Sequence, residues 1–334
     1  MHTVLAGFTA LVNFMKYSPE EICAKVLIRD VRAVARMLTR IEAGDPIVRD
    51  LASALRRPHG KAHVIGVTGA PGAGKSTLVD QLAVLARKSG QHVAVLAVDP
   101  SSPFTGGAIL GDRIRMSHAS EDKDVFIRSM ATRGSLGGLS RATLEAVHVL
   151  DAAGFDLIIV ETVGVGQAEV DIVRTADTCL VVLVPGMGDS VQIIKAGLIE
   201  IADIFIINKA DRDGVNSLEK DLLTLLTLVE SPQGAWRPRV MKTVSTTGEG
   251  VASVLTESVA HKDWLEASSL GQERRIVLIA QMLRSLAGER IAGQVLQGKD
   301  GLIRDLAKEC VLRVCTPLQA IEKILSGLGG PSPS

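Results

Sequence analysis

Between positions 20 and 43, Leu27, Val31, Val34, Leu38 and Ile41 recur at spacings of four and three, with charged residues between them. That period predicts one helix with a single apolar stripe, placed ahead of the core. Further on, short apolar runs occupy 64–69, 93–98, 157–160, 179–184, 205–207 and 239–244, with helical stretches between them, the first at 76–87. Strands that are apolar on both faces and separated by helices imply a mostly parallel sheet covered on both sides. Ligands of such a sheet sit at the carboxyl ends of its strands. The pattern changes at 272–296, where Ile276, Ile279, Ala280, Leu283, Leu286, Ala287 and Ile291 follow a helical period with no strand signal. This predicts a helical arm whose stripe either folds back on the core or pairs with a second subunit. After Leu296 the pattern reads as irregular, and the Gly, Pro and Ser of 327–334 predict a disordered tail. The expected division is a helical extension over 1–60, an α/β domain over 61–262, a helical arm over 263–326 and the tail.

Charge narrows the partners. Lys plus Arg equals Asp plus Glu, at 37 each. No basic surplus favours nucleic acid or an anionic membrane surface. The four cysteines, Cys23, Cys179, Cys310 and Cys315, form no C-x-x-C or C-x-C pair, so neither a zinc site nor a disulfide framework is suggested. No apolar run reaches the ~18 residues of a membrane span, and the first residues lack a basic leader. A soluble, cytoplasmic protein is expected.

The chemistry is concentrated in two runs. The first, Gly69, Ala70, Pro71, Gly72, Ala73, Gly74, Lys75 and Ser76, follows an apolar strand and opens a helix that continues through Thr77. A Gly-rich turn in that context aims backbone N–H groups at a phosphate chain, with the helix dipole behind them. Lys75 is placed to reach the β- and γ-phosphates, and the Ser76 hydroxyl to ligate magnesium. The second run, Asn208, Lys209, Ala210 and Asp211, also follows an apolar strand. A carboxylate at Asp211 accepts hydrogens from guanine N1–H and the exocyclic amine, whereas adenine offers neither. GTP and GDP are therefore the expected nucleotides. Ser245, Thr246 and Thr247 end a further strand and are expected to back the guanine.

Asp99 and Glu161 both end strands beside the predicted phosphates, and hard carboxylate oxygens suit Mg2+. The loop over 100–116 is rich in Gly and polar groups, and it supplies Asp112 as a further metal or water contact and a segment that orders on GTP. Gly164, three residues after Glu161, is positioned to donate its N–H to the γ-phosphate. Lys75, Glu161 and Asp112 are thus the catalytic candidates, and Ser76, Asp99, Asp112 and Glu161 the metal set. No residue is assigned to orient the attacking water; Gln167, six residues after Glu161, is predicted to begin a helix. Arg133 and Lys195 read as solvated charges. In phosphoryl transfer, positioning and charge neutralisation outweigh any single base.

Four segments taken together carry a resemblance: V-D-P-S-S-P-F-T-G-G-A-I-L-G-D-R-I-R-M from Val98, E-T-V-G-V-G-Q from Glu161, P-G-M-G-D-S-V-Q-I-I-K-A-G from Pro185, and N-K-A-D from Asn208. They resemble the MeaB/ArgK family of GTPases associated with methylmalonyl-CoA mutase, over roughly residues 22–296. The resemblance implies a P-loop GTPase that acts as a chaperone of an adenosylcobalamin-dependent acyl-CoA mutase, gating cofactor loading and protecting or reactivating the mutase. It implies a homodimer built through the C-terminal helical arm, and an additional switch at 185–195 coupling nucleotide state to the mutase. An older family label, a kinase linked to arginine or ornithine transport, finds no separate acceptor site here. The alternative is a metal-delivery GTPase of the hydrogenase or urease type. It ranks second because the seven histidines are dispersed in sequence and no C-x-C is present.

Overall fold

The computed structural model describes residues 18–45, 55, 62–99, 116–122, 124–131, 141–162, 172, 175–186, 199–229 and 232–326. The chain divides into two compact units, Met1–Arg275 and Ile276–Ser334.

The first unit opens on two helices, α1 (Pro19–Leu27) and α2 (Val31–Glu42), where the apolar period predicts one. The break has a local cause. Arg29 adopts a left-handed φ of 60°, and the Asp30 carboxylate accepts from Ala33 N at 2.8 Å, ending one helix and capping the next. The stripe divides accordingly: Val34, Leu38 and Ile41 are buried, whereas Val31 is half exposed.

The sheet is built from β1 (His63–Gly69), β2 (Val93–Asp99), β3 (Val125–Ala131), β4 (Leu157–Thr162), β5 (Thr178–Leu183), β6 (Ile204–Asn208) and β7 (Arg239–Thr243). Its order is β3-β2-β4-β1-β5-β6-β7, and every pairing is parallel. Between the strands run α3 (Lys75–Lys88), the short α4 (Ser117–Glu121), α5 (Arg141–Ala153) and α6 (Val215–Thr227); α7 (Val251–Ala267) follows β7. Alternation along the strands turns Ile65, Val67, Val95, Ile159, Leu180, Val182, Ile204 and Ile206 to one face. There they form one core with Leu78, Val79, Leu82, Ala83 and Ala86 of α3 and Val251 and Val254 of α7. The opposite-facing Val64, Ile158, Val160, Val181, Phe205 and Ile207 are buried too. Burial on both faces is why these strands read as continuous apolar runs.

The sequence pattern omits β3. It is an edge strand in which Arg128 and Ser129 interrupt the apolar run, and it gains its place from a neighbour: Arg128 donates to Ala35 O at 3.0 Å and pairs with Glu42, both on α2.

In the second unit, α8 (Ser269–Leu296), which begins in the first, is followed by α9 (Asp300–Val311) and α10 (Pro317–Ser326). The stretch after Leu296 is therefore helical rather than irregular. Gly298 at φ 73° makes the turn, and Lys299 reaches Ile324 O at 2.9 Å, joining α9 to α10. Ile276, Ile279, Leu283 and Ile291 of the predicted stripe are all exposed. No helix among the described residues is long and apolar enough to cross a membrane.

Candidate nucleotide site

At the carboxyl end of β1 the chain turns into α3 through a loop that requires glycine at Gly69 and Gly74. Gly69 has φ 140°, and a Cβ there would run into the Val182 carbonyl of β5. Gly74 caps α3 in the left-handed region at φ 88°, where a Cβ would collide with Asn208 Nδ2. Lys75 starts the helix, is almost fully buried, and turns its ammonium back to Gly69 O at 2.6 Å and Ala70 O at 3.2 Å. The cation thus lies inside the turn that opens α3, where a polyphosphate meets a Gly-rich loop and the helix dipole behind it.

Ser76 Oγ donates to Glu161 Oε1 at 2.6 Å, bringing the first turn of α3 to the end of β4. These are two hard oxygens side by side. Octahedral Mg2+, with oxygens at ~2.0–2.1 Å, needs neighbouring ligands about 2.9 Å apart. The pair fits such an ion. Asp99 ends β2, next to β4 in the sheet.

Asn208 fastens the base side to the phosphate side. It is buried at the end of β6; its Nδ2 donates to Ala73 O at 2.8 Å, and its Oδ1 accepts from Ser245 Oγ at 2.8 Å, Ser245 N at 3.2 Å and Thr243 Oγ1 at 3.1 Å. Lys209, at a left-handed φ of 56°, donates to Gly72 O at 2.8 Å. Asp211 follows in an exposed turn, its carboxylate open to a ligand. Of the three residues expected to back the base, Ser245 is a buried support of Asn208, whereas Thr246 and Thr247 are exposed. Thr77 is half buried on α3. Asp112, Arg133, Gly164, Gln167 and Lys195 lie outside the described residues.

Two groups escape sequence reasoning. Asp80, buried on α3, accepts from Ala119 N at 2.7 Å and lies 2.8 Å from His118 Nδ1, so the helix that opens the phosphate loop also holds the segment following the 100–115 loop. Only an acid on an otherwise apolar helix face hints at it. The second group lies at the amino ends of the strands. His63 Nε2 meets Thr178 Oγ1 at 2.8 Å, and Thr178 Oγ1 meets His261 Nδ1 at 2.9 Å. His261 Nε2 faces Asp203 Oδ1 at 3.4 Å, an electrostatic contact too long for a well-formed hydrogen bond. Arg274 of α8 reaches the same oxygen at 2.6 Å, and Cys179 N donates to Asp203 Oδ2 at 2.8 Å. A carboxylate only accepts, so the neutral chain runs one way: His63 N–H to Thr178, Thr178 O–H to His261, and His261 N–H toward Asp203. Burial, then Lys262 for His63 and Arg274 for His261, pushes both histidines down to about 3. Burial raises Asp203 to about 6 against the pull of Arg274.

A parallel sheet with a glycine turn between β1 and α3, a lysine inside that turn, and an Asn-Lys-x-Asp run locked against it defines a P-loop GTPase. Comparison with known proteins agrees. The family model for the methylmalonyl Co-A mutase-associated GTPase MeaB matches residues 34–300. A putative GTPase of Pyrococcus abyssi is 46% identical over 314 residues, 93% of this chain and 97% of that one. GTPase ArgK of Escherichia coli is 35% identical, covering 80% of this chain and 83% of its own. A crystal structure of an LAO/AO transport system kinase superposes with a TM-score of 0.71 at 26% identity, covering 93% of this chain and 98% of that one. The chain belongs to the MeaB family, and it is a GTP-binding protein and GTP hydrolase.

Proposed function

We propose that this GTPase binds GTP with Mg2+ at the carboxyl end of the sheet and serves as the chaperone of an adenosylcobalamin-dependent acyl-CoA mutase, gating its cofactor loading. The match of residues 34–300 to the family of mutase-associated GTPases carries the partner reading. A mouse relative, 36% identical over 246 residues, bears the name methylmalonic aciduria type A homolog, mitochondrial.

In this reading the N–H groups of the 69–76 turn hold the phosphates, and Lys75 leaves its two carbonyl acceptors for the β- and γ-phosphate oxygens. Ser76 and Glu161, with Asp99 and Asp112, hold magnesium, which when bound neutralises charge developing on the phosphates. Asp211 reads the guanine edge while Asn208 and Lys209 keep its turn fixed to the phosphate loop. Gly164 senses the γ-phosphate. Water cleaves the β–γ anhydride, giving GDP and phosphate. The exposed apolar stripe of α8 supports a homodimer formed through the C-terminal helices, and the even charge supports a cytoplasmic protein that engages neither nucleic acid nor membranes.

The test is phosphate release at fixed GTP while a cobalamin-dependent acyl-CoA mutase from the same organism is titrated in. A saturable rise in rate is expected. A flat response with GTP still bound refutes the partner and leaves the GTPase standing.

A further inference from the structure

Cys310 and Cys315, five positions apart, read in sequence as unrelated residues, and the fold brings them together. Cys310 lies in the last turn of α9. The chain then reverses: Arg313 takes a left-handed φ of 58°, Arg313 N donates to Cys310 O at 3.0 Å, and Val314 N donates to Glu309 O at 2.9 Å. The reversal is pinned from the other side by a reciprocal cap at the start of α10, with Thr316 N on Gln319 Oε1 at 2.9 Å and Gln319 N on Thr316 Oγ1 at 3.2 Å. Lys323 of α10 closes onto Glu309 Oε2 at 2.8 Å beside the pair. The two Sγ atoms are left 3.6 Å apart, each half buried, in a turn whose Val311, Leu312 and Val314 are strongly exposed.

We propose that Cys310 and Cys315 are a redox-active dithiol, a modification site that takes a peroxide-class oxidant and closes to an intramolecular disulfide. The sulfurs need to approach by about 1.5 Å to reach bonding distance, within the reach of side-chain rotation. In the first step one thiol attacks the peroxide; its sulfur takes one oxygen as sulfenic acid, and water leaves. In the second, the other thiol attacks that sulfur, the S–S bond forms, and the hydroxyl departs with the thiol proton as a second water. Two sulfurs are oxidised by one electron each, and the two oxygens of one peroxide are reduced. Burial and then the adjacent Cys310 raise the Cys315 thiol, so its proton must leave as it reacts, and either sulfur can take the first step. The other cysteines contrast with this pair. Cys179 is fully buried in β5 with its thiol pushed up by burial, and Cys23 sits on α1 in the other unit. The bridge covalently ties the end of α9 to the start of α10.

The chain offers a direct readout, because trypsin cuts after Lys308, Arg313 and Lys323 and so puts the two cysteines on separate peptides, 309–313 and 314–323. Full-length protein is treated with hydrogen peroxide, alkylated and digested. The two peptides are expected joined, separating on reduction, with two of the four thiols lost per chain and no cross-linked dimer on a non-reducing gel. Peptides recovered unlinked, or joined between two chains, overturn the proposal. A second measurement needs no oxidant: phenylarsine oxide bridges close thiol pairs, and one equivalent is expected to bind the wild-type chain. Binding that survives Cys310→Ser, or that is absent from the folded wild type, overturns it equally.

Discussion

The two ends of the sheet use polar groups in opposite ways. At the carboxyl end, donors and oxygens rest on backbone carbonyls or on one another, as Ser76 does on Glu161, in contacts that a ligand can replace. Glycines keep the approach clear, Lys75 rests on two backbone carbonyls, and Asp211 is left in solvent. At the amino end, His63, Thr178, His261 and Asp203 close on one another inside the protein, and Arg274 completes the set from α8. The first arrangement is poised for a partner that comes and goes, whereas the second is closed inside the protein and ties the start of α8 to the sheet through Arg274 and Asp203.

The sharpest way to break that contrast is at the open end. Lys75→Ala removes the cation from the phosphate turn, and GTP hydrolysis is expected to fall about 10³-fold, as when a charge-stabilising donor is lost. Thermal unfolding of the nucleotide-free protein is expected to move less than hydrolysis does, since the contacts Lys75 makes to Gly69 O and Ala70 O lie within the loop itself. A large drop in melting temperature with hydrolysis intact would reverse the assignment of the two ends.

The closed end is expected to answer the other way. Asp203→Ala strands Arg274 and His261 and leaves Cys179 N without its acceptor, at a cost of about 3 kcal/mol in stability. Chemical denaturation measures it. GTP affinity, read by equilibrium titration below the new melting point, is expected to stay within about twofold, because additivity holds between distant sites.

The difference between the ends also governs what a reader of the sequence sees. The open site is written in two contiguous runs, 69–76 and 208–211, because a phosphate loop and a base-reading turn are each one local backbone conformation. The closed relay draws on positions 63, 178, 203, 261 and 274, which share no spacing, and its two histidines appear among seven dispersed ones. Six of the seven strands are legible because burial on both faces writes an apolar run. The edge strand β3 is not, since its Arg128 and Ser129 answer to α2 rather than to a core. The break at Arg29 and Asp30 hides inside an apolar period that continues across it, and a cap needs no change in period. Cys310 and Cys315 meet only through the turn between α9 and α10, which depends on one residue at positive φ, a conformation the sequence does not announce.

A finer test of the open end is Asp211→Asn. The side chain is exposed, so stability is expected to hold, while GTP affinity falls about 100-fold relative to xanthosine triphosphate, whose base offers a carbonyl where guanine has its amine. Competition binding with the two nucleotides reads the ratio directly. Guanine preference unchanged by the substitution would detach Asp211 from base recognition.

The smallest effect per step, about one proton's worth for each pH unit, probes whether the closed end is held neutral. His63 and His261 titrate near 3 in the folded chain against an ordinary 6.5, so below pH 6.5 the unfolded chain takes up two protons that the folded one refuses. Their contribution is present above 6.5 and is lost as pH falls through that range toward 3. Asp203 works in the opposite sense. Raised from 3.8 to about 6, it contributes stability that is full below 3.8 and lost as pH rises through 6. Between about pH 4 and 6 the unfolded chain therefore gains two protons at the histidines, and the folded chain holds one extra at Asp203. The net is about one proton, or roughly 1.4 kcal/mol of stability lost per pH unit of acidification, half the slope of the histidines alone. Urea unfolding from pH 7.5 down to 4.5 measures it. A stability flat across that span would mean that these histidines take up protons while folded, and the closed end would then be as open to solvent exchange as the nucleotide site opposite.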